Sequence, residues 1–113
     1  MDFELDIHTI SEANNREHWA KKHKRSSAQR EIAMLVCKSE LSEHKPDFSY
    51  PVLVKLTRFG KRKLDDDNLG RSFKAIRDGI ADALGIDDGD TDKLRFFCTQ
   101  EHSKVYSVKV WMI

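Results

Sequence analysis

The chain has little of what punctuates or staples a fold: among 113 residues there are two Cys, two Pro and five Gly. Cys37 and Cys98 have no C-x-x-C companion, so neither a disulfide framework nor a zinc site is indicated. Free thiols in a reducing cytoplasm are the expected state. Long apolar runs are missing too. The stretch around Ile32–Cys37 falls far short of the roughly 20 residues needed to cross a bilayer, so no membrane association is expected. The opening Met1-Asp2-Phe3-Glu4-Leu5-Asp6 carries three acids where a secretory signal carries bases and an apolar run, so export is not expected. Internal repeats and low-complexity tracts are absent. What is present, 39% apolar and 35% charged residues, suits a single domain spanning residues 1–113. A chain of this size hides roughly two-thirds of its unfolded surface and needs neither metal nor disulfide to fold.

Charge of one sign is also lacking overall, at a net +1, but its distribution is uneven. Residues 64–92 hold nine acids against three bases, and the remainder holds 17 bases against ten acids. Two basic clusters precede the acidic block: Arg16, Lys21, Lys22, Lys24, Arg25 and Arg30, then Lys55, Arg58, Lys61, Arg62 and Lys63. Either cluster alone is ordinarily a solvated face. Together with clustered carboxylates they suit a protein that grips a polyphosphate and coordinates a divalent cation.

Periodicity supplies the elements. Phe3, Leu5 and Ile7 alternate with acids and His8, predicting a half-buried strand over 2–9. Asn14 and Glu17 have capping-box spacing, and Ala28, Ile32, Leu35 and Val36 recur at helical intervals, predicting a helix over about 15–39. Residues 41–51, with both prolines, read as a loop. Val52, Val54 and Leu56 alternate in a second strand that Gly60 closes. Leu69, Phe73, Ile76, Ile80 and Leu84 form an apolar stripe ended by Gly85, predicting a helix over about 68–84. Gly79 inside it costs about 1 kcal/mol against Ala and marks a candidate close approach. Leu94–Thr99 and Val105–Met112 flank a polar turn and read as a hairpin. The expected fold is α/β of the α+β type: one mixed sheet covered by two helices, in the order β-α-β-α-β-β.

Spacing also sorts the acids. In extended chain Asp65 and Asp67 point to one side and Asp66 to the other, so the first two can share a cation. Asp67 is equally well placed as a helix N-cap, without any metal. The second acidic cluster, Asp87-Asp88-Gly89-Asp90-Thr91-Asp92, lies beyond an intervening helix some 25 Å long, so the two meet only if the chain doubles back or a second subunit intervenes. Asp88, Asp90 and Asp92 have calcium-loop spacing, but Lys93 and Thr99 stand where Gly and Glu are required, which excludes an EF-hand. Lys74 and Arg71 can each share a helix face with Asp67, and a Lys74–Asp78 surface pair is the plain alternative for the lysine.

Taken in order, these features resemble the RusA family of Holliday junction resolvases. Lys61-Arg62-Lys63 runs into a D-x-D-N-L signature as Asp65-Asp66-Asp67-Asn68-Leu69, followed by a helix and the Asp87-Asp88 pair, and Ser11–Arg16 resembles the family's Asn-containing loop. The resemblance implies Asp65, Asp67 and Asp88 as metal-binding carboxylates for Mg²⁺, with Mn²⁺ as an alternative, and Lys74 as the catalytic lysine. The family's lysine usually stands where this chain has Arg71, and reaching Lys74 takes a three-residue insertion. The implied function is metal-dependent hydrolysis of phosphodiesters in four-way or otherwise branched DNA by a homodimer. Lys21, Lys22, Lys24, Arg25, Lys61, Arg62, Lys63 and Arg71 would then grip backbone phosphates. The rival is a non-catalytic nucleic-acid or partner-binding module whose acids merely cap helices.

Overall fold

The computed structural model describes residues 1–10 and 19–113. The Asn14/Glu17 capping box, the start of the first helix, Arg16 and the Ser11–Arg16 stretch lie outside the described residues. The elements run β1 (Asp2–Leu5), α1 (Trp19–His44), β2 (Val52–Gly60), α2 (Asp66–Ser72), α3 (Lys74–Leu84), β3 (Leu94–His102) and β4 (Ser107–Met112). The expected second helix is therefore two, and the order is β-α-β-α-α-β-β. Ser72 turns its hydroxyl back onto the Leu69 carbonyl at 2.7 Å, and Phe73, at φ −95° and ψ −1°, carries the break. Such back-bonding bends helices. The apolar stripe runs through the bend, with Leu69, Phe73, Ile76 and Ile80 all buried.

The four strands form one mixed sheet in the order β1-β4-β2-β3. β4 pairs antiparallel with β1 and β2, and β3 pairs parallel with β2. The expected β3–β4 hairpin is thus absent, because β2 lies between the two strands and satisfies both. Residues 103–106 pass over the end of β2, where Ser103 donates its amide to the Gly60 carbonyl at 2.9 Å. A Cβ on Gly60 would stand 2.8 Å from the Tyr106 ring and 2.9 Å from Arg58 Nη1, so a larger residue would displace those side chains at this crossing. β1 ends at Leu5, opposite Val108 near the start of β4, although burial continues to alternate through Ile7 and Thr9.

One face of the sheet makes the core: Phe3, Leu5, Val52, Val54, Leu56, Leu94, Val108, Val110 and Met112 pack with Phe73, Ile76, Ile80, Ala33 and Cys37 of the helices. Burying these chains supplies the main drive to fold. The other face stays open, with Phe97, Trp111 and Ile113 about half exposed. The face of α1 differs from the expected one. Gln29, Ala33 and Cys37 are buried, whereas Ile32 and Leu35 are exposed and Ala28 is outside. Small side chains win this position because α1 crosses α3 at Gly79, whose Cβ site lies 2.8 Å from Ala33 Cβ and 3.0 Å from the Met34 nitrogen. Arg30 then forks onto Asp82 of α3, with Nε and Nη2 donating at 2.7 and 3.0 Å.

Candidate functional site

The acidic residues after β2 are presented by a pinned loop. Gln100 of β3 clamps Leu64 from both sides, its Oε1 accepting from the amide at 2.9 Å and its Nε2 donating to the carbonyl at 2.7 Å. Arg58, only 3% exposed, donates from Nε to Thr9 Oγ1 at 3.0 Å and from Nη1 to the Arg62 carbonyl at 2.7 Å. The sequence places Arg58 in a surface basic cluster; the structure makes it an internal fastener. Its period-two position, in line with Val54 and Leu56, was the available signal. Tyr106 stacks on His8 with ring centroids 3.7 Å apart and holds the Arg58 guanidinium 5.7 Å from its own centroid. Burial pushes the His8 ring below its usual basicity, with the Arg58 charge acting in the same direction.

Beyond this clamp α2 begins. Asp65 is its N-cap residue, yet its carboxylate makes no capping hydrogen bond. Asp66 and Asp67 occupy the first turn, not an extended segment, so the alternation expected to separate Asp66 from Asp65 and Asp67 does not apply. All three are exposed. Their charges favour the positive end of the helix. Lys61, Arg62 and Lys63 are exposed beside them and line a cavity of about 390 Å³ with Gln100, Glu101 and His102.

The second acidic cluster does return to the helix start. Gly85, at φ 68°, caps α3 in the left-handed conformation, and the amides of Gly85 and Ile86 bond the carbonyls of Asp82 and Ala81. The chain reverses there, and Asx turns at Asp87 (to the Gly89 amide, 2.9 Å) and Asp90 (to the Asp92 amide, 3.2 Å) shape the loop. Asp88 comes back to Lys74, 14 positions earlier: Lys74 Nζ donates to Asp88 Oδ2 at 3.1 Å and to Asp78 Oδ1 at 2.9 Å. The plain helix-surface pair with Asp78 is thus present together with a longer-range one to Asp88. The hydrogen bonds that Lys74 donates to Asp78 and then to Asp88 raise its ammonium above its usual value, while Lys74 holds Asp88 below the usual carboxylate range. Lys74 is therefore a fixed cation and not a proton acceptor at neutral pH. A cavity of about 340 Å³ opens here, lined by Arg30, Lys74, Asp78, Asp82, Asp87 and Asp88.

Two of the four expected catalytic residues, Lys74 and Asp88, are in contact. Asp65, Asp67 and Asp88 do not form one ligand cage: among the described residues, three or more possible metal ligands converge within 4.8 Å only at Glu40, Glu43 and His44. That trio, near the C-terminus of α1 and held by a 3.0 Å His44–Glu40 contact, was not anticipated. Its i, i+3, i+4 spacing was the visible signal. Of the expected DNA-binding residues on α1, Lys21 and Lys24 are exposed and Lys22 and Arg25 are half-buried. Lys22 and Arg71 both line a third cavity, of about 320 Å³, to which Ser26, Gln29, Ser72, Lys74 and Arg77 also contribute. Both cysteines are free thiols, Cys37 buried and Cys98 half-buried, and burial pushes the Cys37 thiol up to about 12.

Comparison with known proteins gives little. No protein-family model and no solved structure matches the chain. An uncharacterized protein of Xylella fastidiosa (strain Temecula1) is 75% identical over 24 residues, covering 21% of this chain and 16% of that protein. No helix among the described residues is long and apolar enough to cross a membrane.

Proposed function

We propose that the protein is an endonuclease that hydrolyses phosphodiesters in branched DNA, most simply a four-way junction, in the manner of the RusA family it resembles. The observation that carries this reading is the return of Asp88 to Lys74, which gathers the second acidic cluster, a fixed cation and the α2–α3 bend into one neighbourhood. Asp65 adds support, because an N-cap aspartate that leaves its helix uncapped has its carboxylate available for other work.

The metal that this chemistry implies fits the residues in part. Mg²⁺ usually takes one or two protein carboxylates and keeps several waters. Asp65 and Asp67, exposed and without a side-chain hydrogen bond among the described residues, would hold it. Asp88 is committed to Lys74 and does not join them as placed. When bound, such an ion lowers the pKa of water and relieves charge on phosphoryl oxygens. The chain's own contribution is positional. Lys74 offers a permanent positive charge to a pentavalent phosphorus, where stabilisation counts most in the transition state. Lys61, Arg62, Lys63 and Arg71 meet the flanking phosphates, setting register without reading bases.

A two-fold junction is most simply cut by a two-fold enzyme. The open sheet face, where Leu53, Phe97, Trp111 and Ile113 surround a small apolar cavity, is the surface that supports a second copy. The test is incubation with a labelled four-way junction, a flap and a linear duplex, with and without Mg²⁺. Metal-dependent nicking of the branched substrates alone supports the reading. Metal-independent binding without cleavage favours instead a non-catalytic DNA-binding module, which the lack of a three-carboxylate cage would then explain.

A further inference from the structure

The cavity between α1 and the α2–α3 bend is chemically one-sided. Its described lining contains four cations, Lys22, Arg71, Lys74 and Arg77, the hydroxyl residues Ser26 and Ser72, Gln29 and Ala75, and no carboxylate. The acids that neutralise Lys74, Asp78 and Asp88, belong to the neighbouring cavity and not to this one. Among the described residues, one polar atom lining it is buried and unsatisfied. Among the described residues, Arg77 Nε is fully buried with no hydrogen-bond partner, and the guanidinium makes one long bond, Nη2 to the Gly70 carbonyl at 3.5 Å. Gln29 is buried in its stem and lines the same cavity, where its carboxamide makes no side-chain hydrogen bond within the protein among the described residues. Native proteins rarely leave buried donors unused. A half-buried guanidinium whose Nε is unpaired, beside a carboxamide and among cations, calls for an anion with several acceptor oxygens.

We propose that this cavity is a phosphodiester subsite in which Arg77, Arg71 and Gln29 hold one backbone phosphate of the bound nucleic acid. The guanidinium fork matches the two non-bridging oxygens of a phosphodiester, a match a lysine cannot supply. Lys74 borders both cavities, so a phosphate held here lies next to the Lys74–Asp88 pair. The subsite deepens the nuclease reading and rests on it for the identity of the phosphate's owner: cleavage would occur at the acidic cavity while the adjoining phosphate is anchored in the basic one. Arg77 and Gln29 are then substrate-positioning residues, and neither belongs to the exposed basic clusters of the sequence.

The experiment uses the full ¹⁵N-labelled chain in EDTA, so that no metal chemistry contributes. The Arg77 Nε–H and Gln29 carboxamide resonances are followed during titration with dithymidine monophosphate, with inorganic phosphate and with thymidine. Saturable shifts of both resonances with the dinucleotide, and none with thymidine, are expected. Arg77→Gln should weaken dinucleotide binding about tenfold or more, as for loss of a charge-assisted hydrogen bond, and Arg71→Gln should weaken it while leaving the fold undisturbed. No saturable shift with the dinucleotide overturns the proposal; so does saturation by inorganic phosphate alone, which would make this a site for free phosphate. The two claims fail separately. Dinucleotide binding here with every branched DNA left intact keeps the subsite and removes the nuclease reading, whereas cleavage without dinucleotide binding does the reverse.

Discussion

Two glycines on adjoining helices provide opposite tests of the packing that positions the site. Gly79→Ala gains about 1 kcal/mol of intrinsic helix propensity, yet its new methyl group meets the Arg30 carbonyl oxygen, Ala33 Cβ at 2.8 Å and the Met34 nitrogen at 3.0 Å. Two of those three atoms are backbone, so no rotamer change relieves the overlap and α1 must move. Overpacking of this kind costs about 1–3 kcal/mol, and a shift of α1 also strains the Arg30–Asp82 fork. The net expectation is a loss of about 1–2 kcal/mol, or roughly 4–8 °C in Tm for a chain of this size. Gly70→Ala in α2 meets nothing within 4 Å and has no left-handed backbone to lose, so it should gain about 0.5–1 kcal/mol. Urea unfolding of both variants measures the contrast. A Gly79→Ala protein as stable as Gly70→Ala would refute the close crossing of α1 over α3, and with it the sharing of one cavity by Lys22, Gln29, Arg71 and Arg77.

Three further expectations concern the site and its assembly. Lys74→Ala should lower single-turnover cleavage by about 10²–10³-fold at saturating DNA, whereas Arg71→Ala should chiefly weaken binding and reduce the salt slope by about one; the reverse pattern transfers the catalytic role to Arg71. Because Lys74 holds Asp88 below the ordinary 3.8, the stability this contributes is present above that value and is lost as pH falls through the lowered one. The Lys74 contribution, raised above 10.5, is present below that value and lost as pH rises through the raised one. Carbon-detected NMR should therefore show Asp88 titrating lower in wild type than in Lys74→Ala, and equal values would contradict the pairing. Light scattering should give twice the 13.1 kDa chain mass, with Trp111→Asp reverting to one chain; a monomeric wild type would remove the open sheet face as an interface.

Much of the fold was legible because its signals are local. The α3 stripe and the left-handed Gly85 stop follow from helical period and backbone freedom, and the inward faces of β1 and β2 follow from alternation. The hairpin expectation failed for a non-local reason: β3 and β4 have hairpin chemistry between them, but only the three-dimensional sheet reveals β2 inserted there. The buried face of α1 was misread because size, not hydrophobicity, decides which side chains fit against Gly79. Within the candidate site, spacing pointed to Asp65 and Asp67 and the family resemblance to Asp88 and Lys74, while helix length alone set the acidic clusters far apart. Contact between Asp88 and Lys74 needs the reversal after Gly85, whose direction no spacing rule supplies. Gln100, Gln29 and Arg77 escaped notice, and Arg58 reads in the sequence as a surface base, because periodicity does not reveal which partner a polar side chain meets.

The central claim is that the acids beside the α2–α3 bend cleave branched DNA. Its most direct measurement compares wild type with Asp67→Asn on a labelled four-way junction at saturating protein, with Mg²⁺ and with EDTA. The substitution preserves size and helix-starting ability while removing the charge. Cleavage by wild type only with Mg²⁺, reduced by about 10²-fold or more in Asp67→Asn with junction binding retained, is the predicted result. Equal cleavage by the two proteins, or none by wild type under any metal condition, would contradict it.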